Sequence, residues 1–275
     1  MKTLLKVLLL VSSFTVLSSI AHADCPASLP SGTREFISGS GATYAHLCIT
    51  ENGNVGLFES PQGIQNIGLD QLPAYEGYGF CDYVNLPHGV PYNDYLRDSH
   101  GSLGDSIVRQ PHGSGTFPLI ITRKSSDGVW TLTQTFSLDT KYLPILTIKM
   151  LLRNNSDTAR YANFLRTGEV IVDAPQGNPR SWFEYTNNSV LAFPVIPLAG
   201  SPGIEIVPGT YGFMVQTPSS KPITHRLGFT PPDPCNPFAH TYLPRFADDF
   251  EVISAFSQNV PAHSSISMIV VYQTI

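Results

Sequence analysis

Trp130-Thr131-Leu132-Thr133-Gln134-Thr135-Phe136-Ser137-Leu138 is the stretch from which the fold is read. Its even positions carry Trp, Leu, Gln, Phe and Leu, and its odd positions carry Thr, Thr, Thr and Ser. Successive side chains of a strand point to opposite faces, so this period of two predicts an extended segment with one buried flank. After a turn at 139–144, Leu146, Ile148, Met150 and Leu152 again share one side while Thr147 and Lys149 take the other. The two segments read as an antiparallel hairpin.

Moving outward, Glu51-Asn52-Gly53-Asn54 predicts a second hairpin, between strands at 44–50 and 55–59, because Asn-Gly tolerates the positive φ of tight turns. Further strands are expected at 34–38, 117–123, 160–166, 169–173, 211–216, 251–257 and 265–272. The 23 prolines and 22 glycines interrupt nearly every window long enough for a helix. Short strands separated by turns imply an all-β chain, an antiparallel two-sheet β-sandwich with long irregular loops, rather than a parallel α/β arrangement with helical crossovers. A closed barrel is the structural alternative. Residues 82–116 and 217–245, rich in Pro and Gly, are expected to be the irregular stretches. No repeat or linker divides the chain, so residues 24–275 read as a single domain.

Residues 1–23 read as a signal peptide: Lys2 and Lys6 precede an apolar run at 8–20, and Ala21-His22-Ala23 supplies the small residues of a cleavage site. The protein is therefore expected to be secreted, to the periplasm or beyond, where disulfides persist. Cys25 lies close enough to the cleavage site to raise a lipid anchor, but Asp24 stands where lipoprotein processing wants a small residue. Cys25, Cys48, Cys81 and Cys235 allow three connectivities, and spacing does not choose among them. The expectation is Cys48 with Cys81 and Cys25 with Cys235, the second pair tying a frayable N-terminus to a proline-rich loop. No pair has the CxxC spacing of a redox motif or zinc knuckle.

Composition excludes several classes. With 13% charged and 42% hydrophobic residues the chain has the apolar surface that disordered chains lack. Its net charge of −5 becomes more negative once Lys2 and Lys6 leave with the signal peptide, which makes nucleic acid a poor partner. No later run approaches the ~18 apolar residues of a transmembrane segment. The sequence specifies no oligomeric state.

Asp94, Arg97, Asp98, His100 and Asp105 place acid, base and cation side chains on one segment, the residue types that general acid–base work on glycosidic bonds requires. The competing reading is a set of turn-forming aspartates and surface ion pairs. His88, His100 and His112 recur at intervals of twelve, neither i,i+2 on a strand nor i,i+4 on a helix, and Asp94 and Asp98 depart from the calcium-loop pattern. No metal and no cofactor is expected. GxSxG, HExxH, GxxxxGK[ST] and a helix-opening GxGxxG are absent. Trp182, Phe183 and Tyr185 cluster around Glu184; aromatic faces stack on the apolar faces of sugar rings, although aromatics are also ordinary core residues. Asn154-Asn155-Ser156 and Asn187-Asn188-Ser189 match the glycosylation triplet.

Residues 48–54, 58–61 and 75–81, beginning Cys48-Ile49-Thr50-Glu51-Asn52-Gly53-Asn54 and ending Tyr75-Glu76-Gly77-Tyr78-Gly79-Phe80-Cys81, resemble a group of secreted bacterial all-β proteins without an established activity. Residues 130–136 and 148–156 are similar to the same group, and more loosely to galactose-mutarotase-like supersandwich proteins. The first resemblance implies the Cys48–Cys81 pairing, and the second implies carbohydrate binding. The mutarotases' catalytic His and Glu have no counterpart in matching contexts, so no catalytic residue is carried over. The resulting expectation is noncatalytic recognition of an extracellular carbohydrate, with Asp94, Arg97, Asp98, His100, Trp182 and Tyr185 as candidate ligand-binding residues. One alternative is a carbohydrate-active enzyme using the acids of the 94–105 loop. The other is an envelope or matrix component that binds proteins.

Overall fold

The computed structural model describes residues 24–67, 76–85, 88–96, 103–170, 181–186, 188–197, 204–206, 211–218, 223–228, 232–239, 241–242, 246–247 and 251–275. Among them are strands and a single short 3-10 turn, with no α-helix. The chain opens with β1 (Arg34–Ser38), β2 (Ala45–Ile49), β3 (Val55–Glu59) and β4 (Gln65–Ile67). It continues through β5 (Gly77–Asn85), β6 (His88–Tyr95), β7 (Ile107–Arg109), β8 (Leu119–Lys124), β9 (Trp130–Asp139), β10 (Ile145–Asn154) and β11 (Arg160–Glu169). Next come β12 (Ser181–Tyr185), β13 (Ser189–Pro197), β14 (Ile204–Ile206), β15 (Phe213–Gln216) and β16 (Thr224–Gly228). It closes with β17 (Thr241–Tyr242), β18 (Phe246–Ala247), β19 (Glu251–Val260) and β20 (Ser265–Thr274).

All strand pairings among the described residues are antiparallel. A ten-stranded sheet runs β18-β12-β13-β15-β20-β10-β9-β8-β7, with β14 on β13; a six-stranded sheet runs β17-β16-β19-β11-β5-β6. These are the two layers of the expected sandwich. A third sheet, β1-β2-β3-β4, was not foreseen and shares the inner face of the large sheet with the six-stranded one. Phe58 of β3 meets Phe213 of β15 edge-on at 5.5 Å between ring centroids, and Phe80 of β5 meets Trp130 of β9 at 5.8 Å. One continuous apolar cluster joins all three sheets.

The deciding stretch behaves as its alternation requires. Trp130, Leu132, Gln134 and Phe136 are buried, the intervening threonines are half-buried, and β10 pairs with β9 from Ile145↔Asp139 to Asn154↔Trp130. Residues 82–116, expected to be irregular, instead hold the end of β5 together with β6 and β7. Pro91 is tolerated because β6 is the edge of its sheet, where a missing N–H need cost no ladder bond. Asn154, in the first glycosylation triplet, is fully buried and donates to the carbonyls of Thr158 at 2.7 Å and Val260 at 3.1 Å, so it secures a turn. Asn187, of the second triplet, lies outside the described residues.

All four cysteines are bonded, but the expected pairing is corrected: the bonds are Cys25–Cys48 and Cys81–Cys235. Cys48 lies on β2 of the small sheet and Cys81 on β5 of the six-stranded sheet, so each is paired with whatever segment crosses its own outer face. For Cys48 that segment is the N-terminal stretch, where Leu29 packs with Cys48 and Leu57 and fills the space a side chain at Gly56 would need. For Cys81 it is the 232–239 segment. Tyr83 donates to the Cys235 carbonyl, Tyr95 donates to the Pro232 carbonyl at 2.8 Å, and Phe238 packs beside Leu165 and Ala255.

Candidate functional site

The acidic segment separates into described and undescribed parts. Arg97, Asp98 and His100 lie outside the described residues. Asp105 is exposed, and Asp94 is buried on β6 opposite Tyr78 of β5. Asp94 forms an ion pair with Arg123 of β8 and accepts a hydrogen bond from Asn52 Nδ2 at 3.1 Å. Burial pushes its carboxyl above the ordinary aspartate range, against the pull of Arg123. The Arg123 guanidinium is committed in turn, donating to the Tyr78 hydroxyl at 3.0 Å and to the carbonyls of Leu103 at 3.1 Å and Gly104 at 2.9 Å.

The Asn52-Gly53 turn carries this network across the interior. The Asn52 carbonyl accepts from the Tyr78 hydroxyl at 2.8 Å and from Gln134 Nε2 at 3.1 Å. Gln134 Oε1 then accepts from Arg166 Nη1 at 2.8 Å, and Arg166 pairs with Glu76. Glu76 also accepts from the Val55 amide and, at 3.2 Å, from the Tyr272 hydroxyl. Burial raises the Glu76 carboxyl above its usual range, with Arg166 pulling the other way. These groups are closed off from solvent and saturated by one another, so their chemistry is to join layers rather than to meet a substrate. A smaller set surrounds Asp82, which accepts from Trp130 Nε1 at 3.0 Å and pairs with Arg160. Near it Tyr92 donates to Asp127 at 2.7 Å. Burial alone would raise the Asp127 carboxyl, but hydrogen bonds from Ser125, the Val129 amide and Tyr92 hold it below the usual range.

The aromatic cluster on β12 is divided by the pleat. Phe183 is buried and Tyr185 packs against the core, with burial pushing its hydroxyl up to about 12 despite Arg226. Trp182 and Glu184 take the opposite, outward side, so the structure does not bring Trp182 and Tyr185 together. Trp182 stands directly opposite Phe193 of β13, and the Phe193 ring occupies the space a Cβ at Gly212 would fill. In the adjoining row of the same face, Glu184, Leu191, Met214, Gln273 and Ile145 are successive cross-strand partners. Farther along, Gln216, Val271, Thr147 and Ser137 form a second row, and Lys149 stands between Ile269 and Thr135. The outward face of the large sheet therefore carries an aromatic end and a centre where Gln273, Gln216, Thr147, Ser137, Thr135 and Lys149 are interspersed with Leu191, Met214, Ile145, Val271 and Ile269. Its half-exposed Thr, Gln and aromatic side chains can offer hydrogen bonds and ring faces, but this row of the sheet holds no paired acids.

One constellation was missed in the sequence. His46-Leu47-Cys48 places two ligand-type side chains at i,i+2 on a strand, on one face, a signal less conspicuous than the twelve-residue recurrence of His88, His100 and His112. In the structure His46 is buried between Glu35 and Glu59 beside the Cys25–Cys48 bond.

No family model matches the chain, and no curated protein matches it. Among solved structures it is similar to a polysaccharide lyase, with a TM-score of 0.45 and 9% identity over 89% of this chain and 33% of that one. It is also similar to the Slr1438 protein from Synechocystis sp. PCC 6803, with a TM-score of 0.45 and 11% identity over 92% of this chain and 99% of that one. The chain spans about a third of the lyase's length. Both likenesses are distant, and no property of either protein is carried over to this chain.

Proposed function

We propose that the protein is exported and that the outward face of its ten-stranded sheet recognises an extracellular carbohydrate without transforming it. The observation that carries this reading is the Trp182–Phe193 cross-strand pair, held on the outer face with Gly212 clearing room for the Phe193 ring. Ring faces presented this way suit the C–H face of one sugar, and Gln216, Thr147, Ser137, Thr135 and Lys149, farther along the same face, suit the hydroxyls of other units of an extended chain. The ion pair and burial of Asp94 remove that one carboxyl from the enzymatic alternative, since a general acid must reach its substrate.

Glycan-array binding of the mature chain tests it. Trp182→Ala and Phe193→Ala are expected to weaken binding at least tenfold, while Tyr185→Phe, changed on the inward face, leaves it intact. Binding that is flat across sugars, or indifferent to Trp182→Ala, would overturn the proposal. Export is checked separately: N-terminal sequencing of the extracytoplasmic protein should begin at Asp24.

A further inference from the structure

We infer that reduction of the Cys25–Cys48 bond creates a zinc site, made of the two thiolates and His46 Nε2, with the fourth position open to the Glu35 carboxylate or to water. Strand register assembles it. Glu35 of β1 is the direct cross-strand partner of Cys48, and Glu59 of β3 is the direct partner of His46, so these four side chains share the face of the small sheet turned away from the core. The N-terminal segment crosses that face and delivers Cys25.

The distances suit three corners of a tetrahedral ion. The ligand atoms of Cys25, His46 and Cys48 all lie within 4.8 Å of one another, and His46 Nε2 is 3.8 Å from Cys48 Sγ. Zinc bonds of ~2.3 Å to sulfur and ~2.0 Å to nitrogen give a nitrogen–sulfur edge of about 3.5 Å. Glu35 Oε1 stands 2.9 Å from His46 Nε2 but falls outside the set of ligand atoms lying within 4.8 Å of one another, so its carboxylate would have to turn toward the sulfurs to complete the shell. The opposite ring nitrogen is also provided for. His46 Nδ1 is buried without a hydrogen bond and faces Glu59 Oε2 at 3.5 Å, the carboxylate that would have to close on it to fix the tautomer leaving Nε2 free for metal. His46 and Cys48 are both buried, whereas an adventitious surface cluster would be exposed.

The chemistry balances with a dithiol reductant. Thiolate attack on the disulfide and resolution of the mixed disulfide transfer two electrons, giving two cysteine thiols and an oxidised, cyclised dithiol. Binding of Zn2+ then releases the two thiol protons. While the disulfide is intact its sulfurs are not thiolate ligands, so the site is gated by redox state. Cys81 and Cys235 are reduced by the same reagent but have no such histidine beside them among the described residues.

The test uses the full mature chain, oxidised or reduced with excess dithiol and exchanged into metal-free buffer, titrated with Co2+ and then Zn2+. The reduced protein is expected to take up one equivalent of Co2+ with sulfur-to-cobalt charge-transfer absorption that Zn2+ abolishes, and the oxidised protein none. His46→Ala should weaken Zn2+ binding at least tenfold, and Glu59→Gln should weaken it less. Alkylation mass spectrometry covers the case in which reduction loosens the fold: Zn2+ should protect Cys25 and Cys48 more than Cys81 and Cys235. Uptake unchanged in His46→Ala, absence of the charge-transfer bands, or equal alkylation of Cys25 and Cys48 with and without Zn2+ would overturn the inference.

Discussion

Arg166 and Glu76, ninety positions apart in the chain, form an ion pair in which each side chain is only 1% exposed. Arg166 reaches from β11 toward the large sheet, and its guanidinium also lies 5.9 Å from the Phe136 ring centroid and 6.0 Å from that of Tyr272. A charge so placed is tolerable because its donors are occupied by Glu76, Gln134, Tyr272 and the Gly53 carbonyl. Arg166→Met is therefore expected to destabilise the protein by about 3–5 kcal/mol, because it strands the Glu76 carboxyl in the interior. The double variant Glu76→Gln, Arg166→Met should recover part of that loss. Urea denaturation measures both, and additive losses in the double variant would show that the two side chains act independently.

Gly53 allows the turn to enter that interior. Its φ is +92°, and a Cβ there would overlap the Gln134 amide. Gly128 has φ +73° and open space around the same position. Gly128→Ala should cost about 1 kcal/mol of backbone strain. Gly53→Ala should cost clearly more, since it adds displacement of Gln134 and of the bonds that side chain makes to Asn52 and Arg166. Thermal melts of the two variants side by side separate the backbone penalty from the clash.

His225 supplies a pH dependence. It lies buried on β16 between the hydroxyls of Thr217, 2.9 Å from Nε2, and Ser254, 3.0 Å from Nδ1, and burial lowers its pKa from 6.5 to about 4. The unfolded chain therefore binds this proton more readily, so stability is lost as pH falls from about 6.5 toward 4 and levels off below. The total is about 3 kcal/mol. Glu76 and Asp94, whose native pKa values are raised, slope the opposite way in their own range, so the measurement is the difference between wild type and His225→Gln. The wild-type unfolding free energy should fall more steeply across that window; parallel curves would contradict the assignment.

The two disulfides should differ in worth. Their sequence separations are 23 for Cys25–Cys48 and 154 for Cys81–Cys235. Chain-entropy arguments assign about 3 kcal/mol to the shorter loop and about 5 kcal/mol to the longer. Cys81→Ala with Cys235→Ala is expected to be the more damaging pair, and also to release the 232–239 segment to proteolysis. Non-reducing peptide mapping of the native protein checks the connectivity itself.

Much of this architecture was legible along the chain. The alternation at 130–138 and 146–152 identified β9, β10 and their buried sides, and Asn52-Gly53 marked the turn between β2 and β3. Period two also carries the information that Trp182 and Tyr185 face opposite ways, although their proximity in sequence suggested one cluster. What the sequence determined by itself is what depends on neighbours one or two residues apart: extended segments, their buried flanks and the tight turns, all dictated by the pleat and by allowed φ values. The tertiary structure alone decided that Cys48 meets Cys25, that Asp94 is consumed by Arg123, that Glu76 answers Arg166, and that Glu35 and Glu59 converge on His46. Those partnerships depend on which distant segments cross each other when three sheets bury one continuous core, and no local pattern encodes that choice.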